Sequence, residues 1–291
     1  MFNKLLDDGV DVSIVRVLAF WYSRQEVCVR WNLTISASFT TGNGTRQGGV
    51  LSPYLFTRYI RDLLNKVENS QCGCSVGGMC INVLAYADDI VLIAPSWRAL
   101  QSLLHLLYDC ILTLDMVCNA KKSACMIFIL NYRAKTVSKT YPLFTVGDMQ
   151  LEYVAEFRYL GHIISNDLSD DRDIQREVRN MFFRTNVLVR RFAKCSVQVK
   201  VVLFRAYCLC LYDSGLWKFY NASSRNKLMS CYNRCVKIFF GYKRRDSMTQ
   251  LLAVLGLPSF NTIIVNGDAI FERCYVKCTN SIITYLRLLG Y

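Results

Sequence analysis

Apolar residues recur at helical spacing at the start of the chain. Leu5, Leu6, Val10, Ile14, Val17 and Leu18, closed by Trp21 and Tyr22, predict a helix over 3–22 that Gly9 weakens. Val27–Trp31 predicts a strand, with its return before Ser38. Ser52-Pro53 predicts a helix start, Ser at the cap and Pro in the first turn, carrying Leu55, Phe56, Tyr59, Ile60, Leu63 and Leu64 on one face. Two short β-branched runs, Val83–Ala85 and Ile90–Ala94, predict a tight hairpin with Asp88 and Asp89 at its tip. Leu100, Leu103, Leu104, Leu107, Ile111 and Leu114 then make an apolar helix stripe behind Pro95-Ser96. Strands are expected over Ala124–Leu130, around Tyr141–Tyr153 and over Phe157–Ile164, with Lys135 and Lys139 in a polar loop. From Asp170 onward the pattern is helical only: 170–194, Ser196–Tyr220, Arg225–Phe240, Ser247–Leu255 and the final stretch from Ser259.

Charge divides the chain. Residues 1–165 carry 15 Lys/Arg against 13 Asp/Glu, whereas residues 166–291 carry 20 against 9, and 172–245 alone carry 17 against 3. The overall net charge of +13 calls for an anionic partner, and the density of Arg with interleaved Phe and Tyr in the second half favours nucleic acid over a merely solvated face. Fourteen Cys without a secretory signal read as reduced thiols. Cys231/Cys235 and Cys274/Cys278 have helix-face spacing, and Cys72, Cys74 and Cys80 have neither His105 nor His162 nearby, so buried small apolar side chains are favoured over a zinc site. No run reaches 18 apolar residues, so no membrane span is expected and an intracellular location, cytoplasmic or nuclear, follows.

The candidate chemistry lies in the first half. Two adjacent carboxylates repel, and a hard divalent cation relieves that repulsion, because Mg²⁺ takes one or two carboxylates plus substrate phosphates. Alternation along a strand gives the two unequal roles, with Asp88 pointing into the site and Asp89 secondary. Taken alone, a solvated Asp-Asp turn is the commoner meaning of such a pair; the rest of the chain reverses that. The stretch Gly42-Asn43-Gly44-Thr45-Arg46-Gln47-Gly48-Gly49 lets the backbone approach something closely, and a helix N-terminus behind it suits a sugar-phosphate.

The ordered set Arg46-Gln47-Gly48-Gly49-Val50-Leu51-Ser52-Pro53, Tyr86-Ala87-Asp88-Asp89, Asn119 with Lys122, and Tyr159-Leu160-Gly161 resembles reverse transcriptases. Tyr ahead of Ala-Asp-Asp and the following Tyr-Leu-Gly look like the non-LTR, LINE-type retrotransposon branch; retroviral enzymes usually carry Met before the paired Asp. The resemblance runs from about residue 1 to 245. It implies an α+β right-hand polymerase: an antiparallel palm sheet with helices over 1–168, a basic helical thumb over 169–245 and a C-terminal helical segment over 246–291. It implies that Arg46, Gln47, Gly48, Gly49 and Tyr86 shape the template and nucleotide pocket, that Asp88 and Asp89 hold Mg²⁺, and that Lys122 lies near the triphosphate as a general acid. It further implies that Tyr159, Leu160 and Gly161 form the primer grip, and that Arg172, Arg176, Arg179, Arg184, Arg190 and Arg191 hold nucleic acid. The partners implied are an RNA template, a DNA primer or RNA–DNA hybrid, and deoxynucleotides; the chemistry is two-metal phosphoryl transfer. The family carries a further catalytic Asp on a palm strand before the segment resembling residues 1–25, and Asp7, Asp8 and Asp11 fall in the helix after it. The expectation is therefore a palm–thumb portion, impaired in catalysis but able to bind nucleic acid. The alternatives are a group II intron-type reverse transcriptase, which shares the Gln-Gly and Tyr-Ala-Asp-Asp elements, or a transposon relic without function.

Overall fold

The computed structural model describes residues 1–41, 44–128 and 140–290. Gly42, Asn43, Lys135, Lys139 and the far end of the strand expected to Leu130 lie outside them. In chain order the elements are α1 Phe2–Asp7, α2 Val12–Ser23, β1 Glu26–Val27, β2 Arg30–Trp31, β3 Thr34–Ile35, β4 Phe39–Thr40, α3 Ser52–Glu68, β5 Cys74–Val76, β6 Met79–Ile81, β7 Val83–Tyr86, β8 Asp89–Leu92, α4 Trp97–Thr113, β9 Ala124–Cys125, β10 Thr145–Val146, β11 Met149–Gln150, β12 Glu152–Tyr153, β13 Glu156–Tyr159 and β14 His162–Ser165. Six helices follow: α5 Asp171–Phe192, α6 Val197–Cys208, α7 Ala222–Phe240, α8 Met248–Leu255, α9 Phe260–Lys277 and α10 Ser281–Leu288. The chain is thus α+β, and it forms two compact units: residues 1–120 with 144–150, and residues 121–143 with 151–291. The boundary expected at residue 168 falls inside the second unit, because β14 is bonded to α5.

In the first unit the expected opening helix is two helices. Gly9 takes a positive φ of 78°, and Asp11 restarts the helix by accepting the Ser13 N–H at 2.8 Å. Leu5, Val15 and Leu18 bury against Leu55 of α3. Arg58 of α3 pairs with Asp8, and Lys4 pairs with Asp62 at 2.7 Å. Helix α3 begins at Ser52 with Leu51 at the cap position, one residue from the expectation: the Ser52 hydroxyl donates to the Arg46 carbonyl at 2.5 Å instead of capping the helix. Leu63 and Val67 of α3 then meet Leu103, Leu107 and Ile111 of α4, with Val83, Ile90 and Leu92 of the β7–β8 hairpin packed on the same cluster. Full burial of such side chains is worth about 1.5–3 kcal/mol each, so this contact fixes the hairpin's place.

In the second unit β9 and β12 pair in parallel, and β13–β14 form an antiparallel hairpin. Among the described residues the expected palm sheet is represented by separate two-stranded ladders. The helices share one core in which Phe204, Tyr232, Cys235 and Val236 are fully buried. Cys231 Sγ lies 3.6 Å from the Val178 carbonyl and Arg234 sits over the Phe182 ring, so α5 and α7 run side by side in the same direction. Thr185 meets Cys208, and Lys200 lies over the Phe239 ring, so α6 runs the opposite way. The helix expected over Ser196–Tyr220 stops at Cys208. Buried Leu211 and Trp217 draw the following chain into a short 3₁₀ turn, Ser214–Leu216, and Trp217 hydrogen-bonds back to α5. Helices α7 and α8 end on Gly241 and Gly256 in the left-handed conformation, as their sequence positions require. All fourteen cysteines are free thiols. No single helix among the described residues is long and apolar enough to cross a membrane; only the bent pair α8 and α9 passes by length and composition, and Leu251, Leu255 and Phe260 of that pair are buried.

Candidate functional site

The Asp-Asp hairpin is short. Tyr86 pairs with Asp89, so the two-residue turn is Ala87-Asp88, and Asp89 opens the second strand rather than sharing the tip. Ala87 sits at a φ of +52°, a region costly for a residue with a Cβ. Val83, Ala85, Ile90 and Leu92 make the face toward α3 and α4; Leu84, Tyr86, Asp89 and Val91 make the other. Asp88 in the turn and Asp89 at the start of β8 are both exposed, and Tyr86 beside them is 64% exposed. The hairpin's base is pinned by a residue that sequence reasoning missed. Asn82 is 1% exposed, and its amide donates to the Val67 carbonyl at 2.7 Å and to the Cys72 carbonyl at 2.9 Å. One polar side chain inside an apolar run was the available signal.

Arg46, Gln47, Gly48 and Gly49 lie in the same unit, at the start of α3. Gly48 has a φ of +79°, and a Cβ on Gly49 would stand 2.8 Å from Ser52 Oγ and 3.1 Å from the Arg46 carbonyl, so both positions need glycine. Arg46 lies over the Trp21 ring, 5.8 Å from its centroid, which ties the loop to α2. Gln47 is exposed. The nearby acids Asp8 and Asp11 already serve Arg58 and the cap of α2.

The remaining residues are in the second unit. Lys122 is exposed in the turn before β9. Tyr159 closes β13, and the turn Leu160-Gly161 has φ values of +49° and +92°, the pattern of a type I′ hairpin with a branched residue where Asn or Gly is usual. Behind this turn lies an ionic junction that only the fold reveals. Asp173 of α5 is fully buried; it accepts the Ile163 N–H at 2.9 Å, Arg176 Nε at 2.7 Å and Trp217 Nε1 at 2.9 Å. His162 Nδ1 stands 3.1 Å from the same carboxylate, close enough for ion pairing but not aligned as a hydrogen bond. Burial pushes the Asp173 carboxyl upward, but His162, Arg176 and the two N–H donors outweigh it and hold the group well below the usual carboxylate range. The Asp173 carboxylate raises His162 against the opposing effect of burial, with Asp213 and Asp170 adding to the rise.

His162, Asp173 and Asp213 are also the one group of three with metal-ligand proximity among the described residues. Arg176 occupies that corner, bonded to Asp173 at 2.7 Å and Asp213 at 2.8 Å, and already supplies the cation. The six arginines expected to hold nucleic acid thus divide. Arg176 pairs with three carboxylates, Asp173, Asp213 and Glu177, and Arg184 pairs with Glu177 at 2.8 Å and donates to the Tyr207 carbonyl; Arg172 makes a surface pair with Glu156. Arg179, Arg190 and Arg191 are exposed. Arg172, Arg179 and Arg190 form one stripe of α5 with exposed Phe183 among them, at intervals of seven, four and seven residues.

The reverse transcriptase (RNA-dependent DNA polymerase) family profile matches residues 11–164, just over half of the chain, and spans the Gly-rich loop and both hairpins. The chain belongs to the reverse transcriptase family. The curated relatives it matches come from non-LTR retrotransposons. It is 32% identical over 133 residues to the Retrovirus-related Pol polyprotein from type-2 retrotransposable element R2DM of Drosophila melanogaster, covering 43% of the chain and 12% of that protein. It is 32% identical over 123 residues to the Pol polyprotein of a type-1 retrotransposable element R2 of Popillia japonica, 41% of the chain and 17% of that protein. To the RNA-directed DNA polymerase from mobile element jockey of Drosophila funebris it is 26% identical over 210 residues, 69% of the chain and 21% of that protein. The chain therefore spans about a fifth or less of the length of these relatives. The R2 and jockey relatives favour this reading over a group II intron-type enzyme. Reverse transcriptases generally use divalent metal ions, and the hard oxygen donors of Asp88 and Asp89 suit such an ion.

Proposed function

We propose that this chain carries the carboxylate hairpin and the duplex-holding helices of an RNA-directed DNA polymerase from a non-LTR retrotransposon. The observation that carries the reading is Asp88, presented to solvent on a strained two-residue turn that α3, α4 and Asn82 hold in place, within the segment matched by the family. Asp88 and Asp89 would hold Mg²⁺, which, when bound, activates a primer 3′-hydroxyl and steadies a triphosphate. Gly48 and Gly49 keep the loop open to close approach by a template base or deoxynucleotide, with Arg46, Gln47 and Tyr86 at its edge. Lys122 serves the triphosphate as a proton donor, and Tyr159-Leu160-Gly161 grips the primer. The partners are an RNA template, a DNA primer or RNA–DNA hybrid, and deoxynucleotides, met inside the cell. By the family's division the palm takes residues 1–168, although β13–β14 pack with the second unit, the thumb takes 169–245, and the last helices share the thumb's core through Leu255, Leu257 and Phe260.

In this proposal the chain by itself polymerises poorly. Among the described residues no third His, Cys or acidic side chain joins Asp88 and Asp89 within metal-ligand distance. Losing even a partner behind a metal ligand lowers affinity or activity about 10–100-fold, and a vacant ligand position costs more. The test is primer extension on an RNA template with three proteins: this chain, its Asp88→Ala variant, and a fusion in which an R2 relative's segment preceding the matched region stands ahead of Met1. Near-background extension by the chain and Asp88-dependent extension by the fusion are expected. Extension by the chain alone that Asp88→Ala abolishes would show that two carboxylates suffice. A silent fusion would leave a nucleic-acid-binding module instead of a polymerase.

A further inference from the structure

Helices α5 and α7 run side by side in the same direction, so their C-termini make one basic end of the second unit. Arg190, Arg191 and Lys194 come from α5 and the turn after it, and Lys243, Arg244 and Arg245 from the turn after α7, all exposed. The turn after α7 runs straight into a serine. Arg244-Arg245-Asp246-Ser247 is the one place in the sequence where adjacent arginines stand three and two residues ahead of a serine. Cations at that distance complement the acidic grooves by which many protein kinases choose one hydroxyl among others.

The fold leaves each part of this motif open. Ser247 is exposed, and its hydroxyl makes no hydrogen bond to cap α8. Its backbone is extended, with φ −65° and ψ 120°, the shape that a kinase cleft accepts; the helix begins at Met248. Arg244 and Arg245 enter no ion pair among the described residues, unlike Arg172, Arg176 and Arg184. Their backbone is fixed from behind, because Lys237 Nζ donates to the Arg244 and Asp246 carbonyls, both at 2.8 Å. Asp246, the acid of the stretch, is committed to the turn, where it accepts the Lys243 N–H at 2.7 Å.

The product fits as well as the substrate. Helix α8 has no acid in its first turn and no side-chain cap, so its first N–H groups lack the partner that a helix start favours. A phosphoryl group brings a charge of about −1.5 to −2 and three acceptor oxygens. On Ser247 it stands at the positive end of α8 and follows two unpaired guanidiniums.

We infer that Ser247 is a phosphorylation site for an arginine-directed serine kinase, and that the phosphoryl group caps α8 and offsets the charge of the turn before it. The Ser247 hydroxyl oxygen bonds to the γ-phosphorus of ATP, the bond from that phosphorus to the oxygen bridging the β-phosphorus breaks, ADP leaves, and the hydroxyl proton passes to the kinase's catalytic carboxylate. The charge of Lys243, Arg244 and Arg245 is then mostly neutralised within the chain, which makes the modification an electrostatic switch on the basic end. The inference stands independently of the polymerase reading.

The test is incubation of the full folded chain with ATP and the catalytic subunit of cyclic-AMP-dependent protein kinase, with the modified residue located by tandem mass spectrometry. A synthetic peptide of residues 241–252 reports what the motif alone allows. Both should be phosphorylated at Ser247, and Ser247→Ala should remove that label. Arg244→Gln/Arg245→Gln should slow the reaction by about tenfold or more, the worth of lost charge-assisted hydrogen bonds. Amide hydrogen exchange over 248–255 should slow by about two- to fivefold in the phosphorylated chain. Circular dichroism confirms that the arginine variant is folded; should it not fold, the single variants and the doubly substituted peptide take its place. Phosphate in the peptide but not in the folded chain overturns the site, because the fold would then hide the serine. A silent peptide, label on Thr249 in place of Ser247, or a rate unchanged by the arginine variants overturns it equally. Phosphate at Ser247 with unchanged exchange in α8 overturns the capping and the switch.

Discussion

Ala87 holds a left-handed backbone conformation one residue before Asp88, the carboxylate proposed for the site. A side chain there costs about 1 kcal/mol relative to glycine, and strain of this kind persists where the surroundings over-determine it. Ala87→Gly should raise stability by about 0.5–1 kcal/mol in denaturant unfolding, after allowing for glycine's greater freedom in the unfolded chain. A destabilised Ala87→Gly protein would refute strain at this turn. Asp173 presents the reverse case, a buried charge with full compensation. Asp173→Ala removes the buried carboxylate that Arg176, His162, the Ile163 N–H and Trp217 Nε1 share and leaves the last two buried donors unpaired, so a loss of about 3 kcal/mol or more is expected in the same measurement. A loss under about 1 kcal/mol would mean that the junction is not structural. His162 adds a pH dependence. Its folded pKa is raised above 6.5, so its contribution is complete below 6.5 and fades as pH rises through the folded value. Asp173 is depressed, so its contribution is present above 3.8 and fades as pH falls. The melting temperature should decline as pH climbs past 6.5, and His162→Gln should flatten that decline; parallel profiles for the two proteins would exclude the histidine as the cause.

The β7–β8 hairpin buries one face on α3 and α4, and among the described residues neither of its edges is paired. Its other face shows Leu84 and Tyr86, and unpaired apolar edges recruit other chains. The isolated chain should self-associate, and Leu84→Lys should shift it toward monomer in sedimentation velocity. A sharp-melting monomer without the substitution would rule out the edge as a sticky surface. Most elements were readable from periodicity, because long amphipathic runs such as Leu103–Ile111 need no outside partner to declare their buried face. Element ends were not: α6 stops at Cys208 because Trp217 is drawn to Asp173, 44 residues away, and no local residue signals that stop.

At the scale of the whole molecule the net charge of +13 governs association. With about six phosphates neutralised, the logarithm of hybrid affinity should fall against the logarithm of salt with a slope near −5. A salt-independent affinity would deny the backbone contacts. The division of the chain into two units places Asp88 in one and the Tyr159-Leu160-Gly161 hairpin, Lys122 and the basic helices in the other. Motif order along the chain carried the family; it did not carry this partition, since β10 and β11 rejoin the first unit after an excursion through β9.

The sequence by itself determined the kinds of element, the hairpins that carry Asp88 and Leu160-Gly161, the glycines at Gly48 and Gly49, and the basic sign of the second half. These depend on local spacing, on backbone preference and on summed charge, all of which are properties of the chain order. Only the tertiary structure decided which cations remain available. Arg176 and Arg190 look alike along the sequence, yet one bonds Asp213, 37 residues away, and the other stands exposed at the basic end. Ion pairing falls off within a few ångströms, so it is set by which distant segments packing brings together, and spacing along α5 holds no record of that.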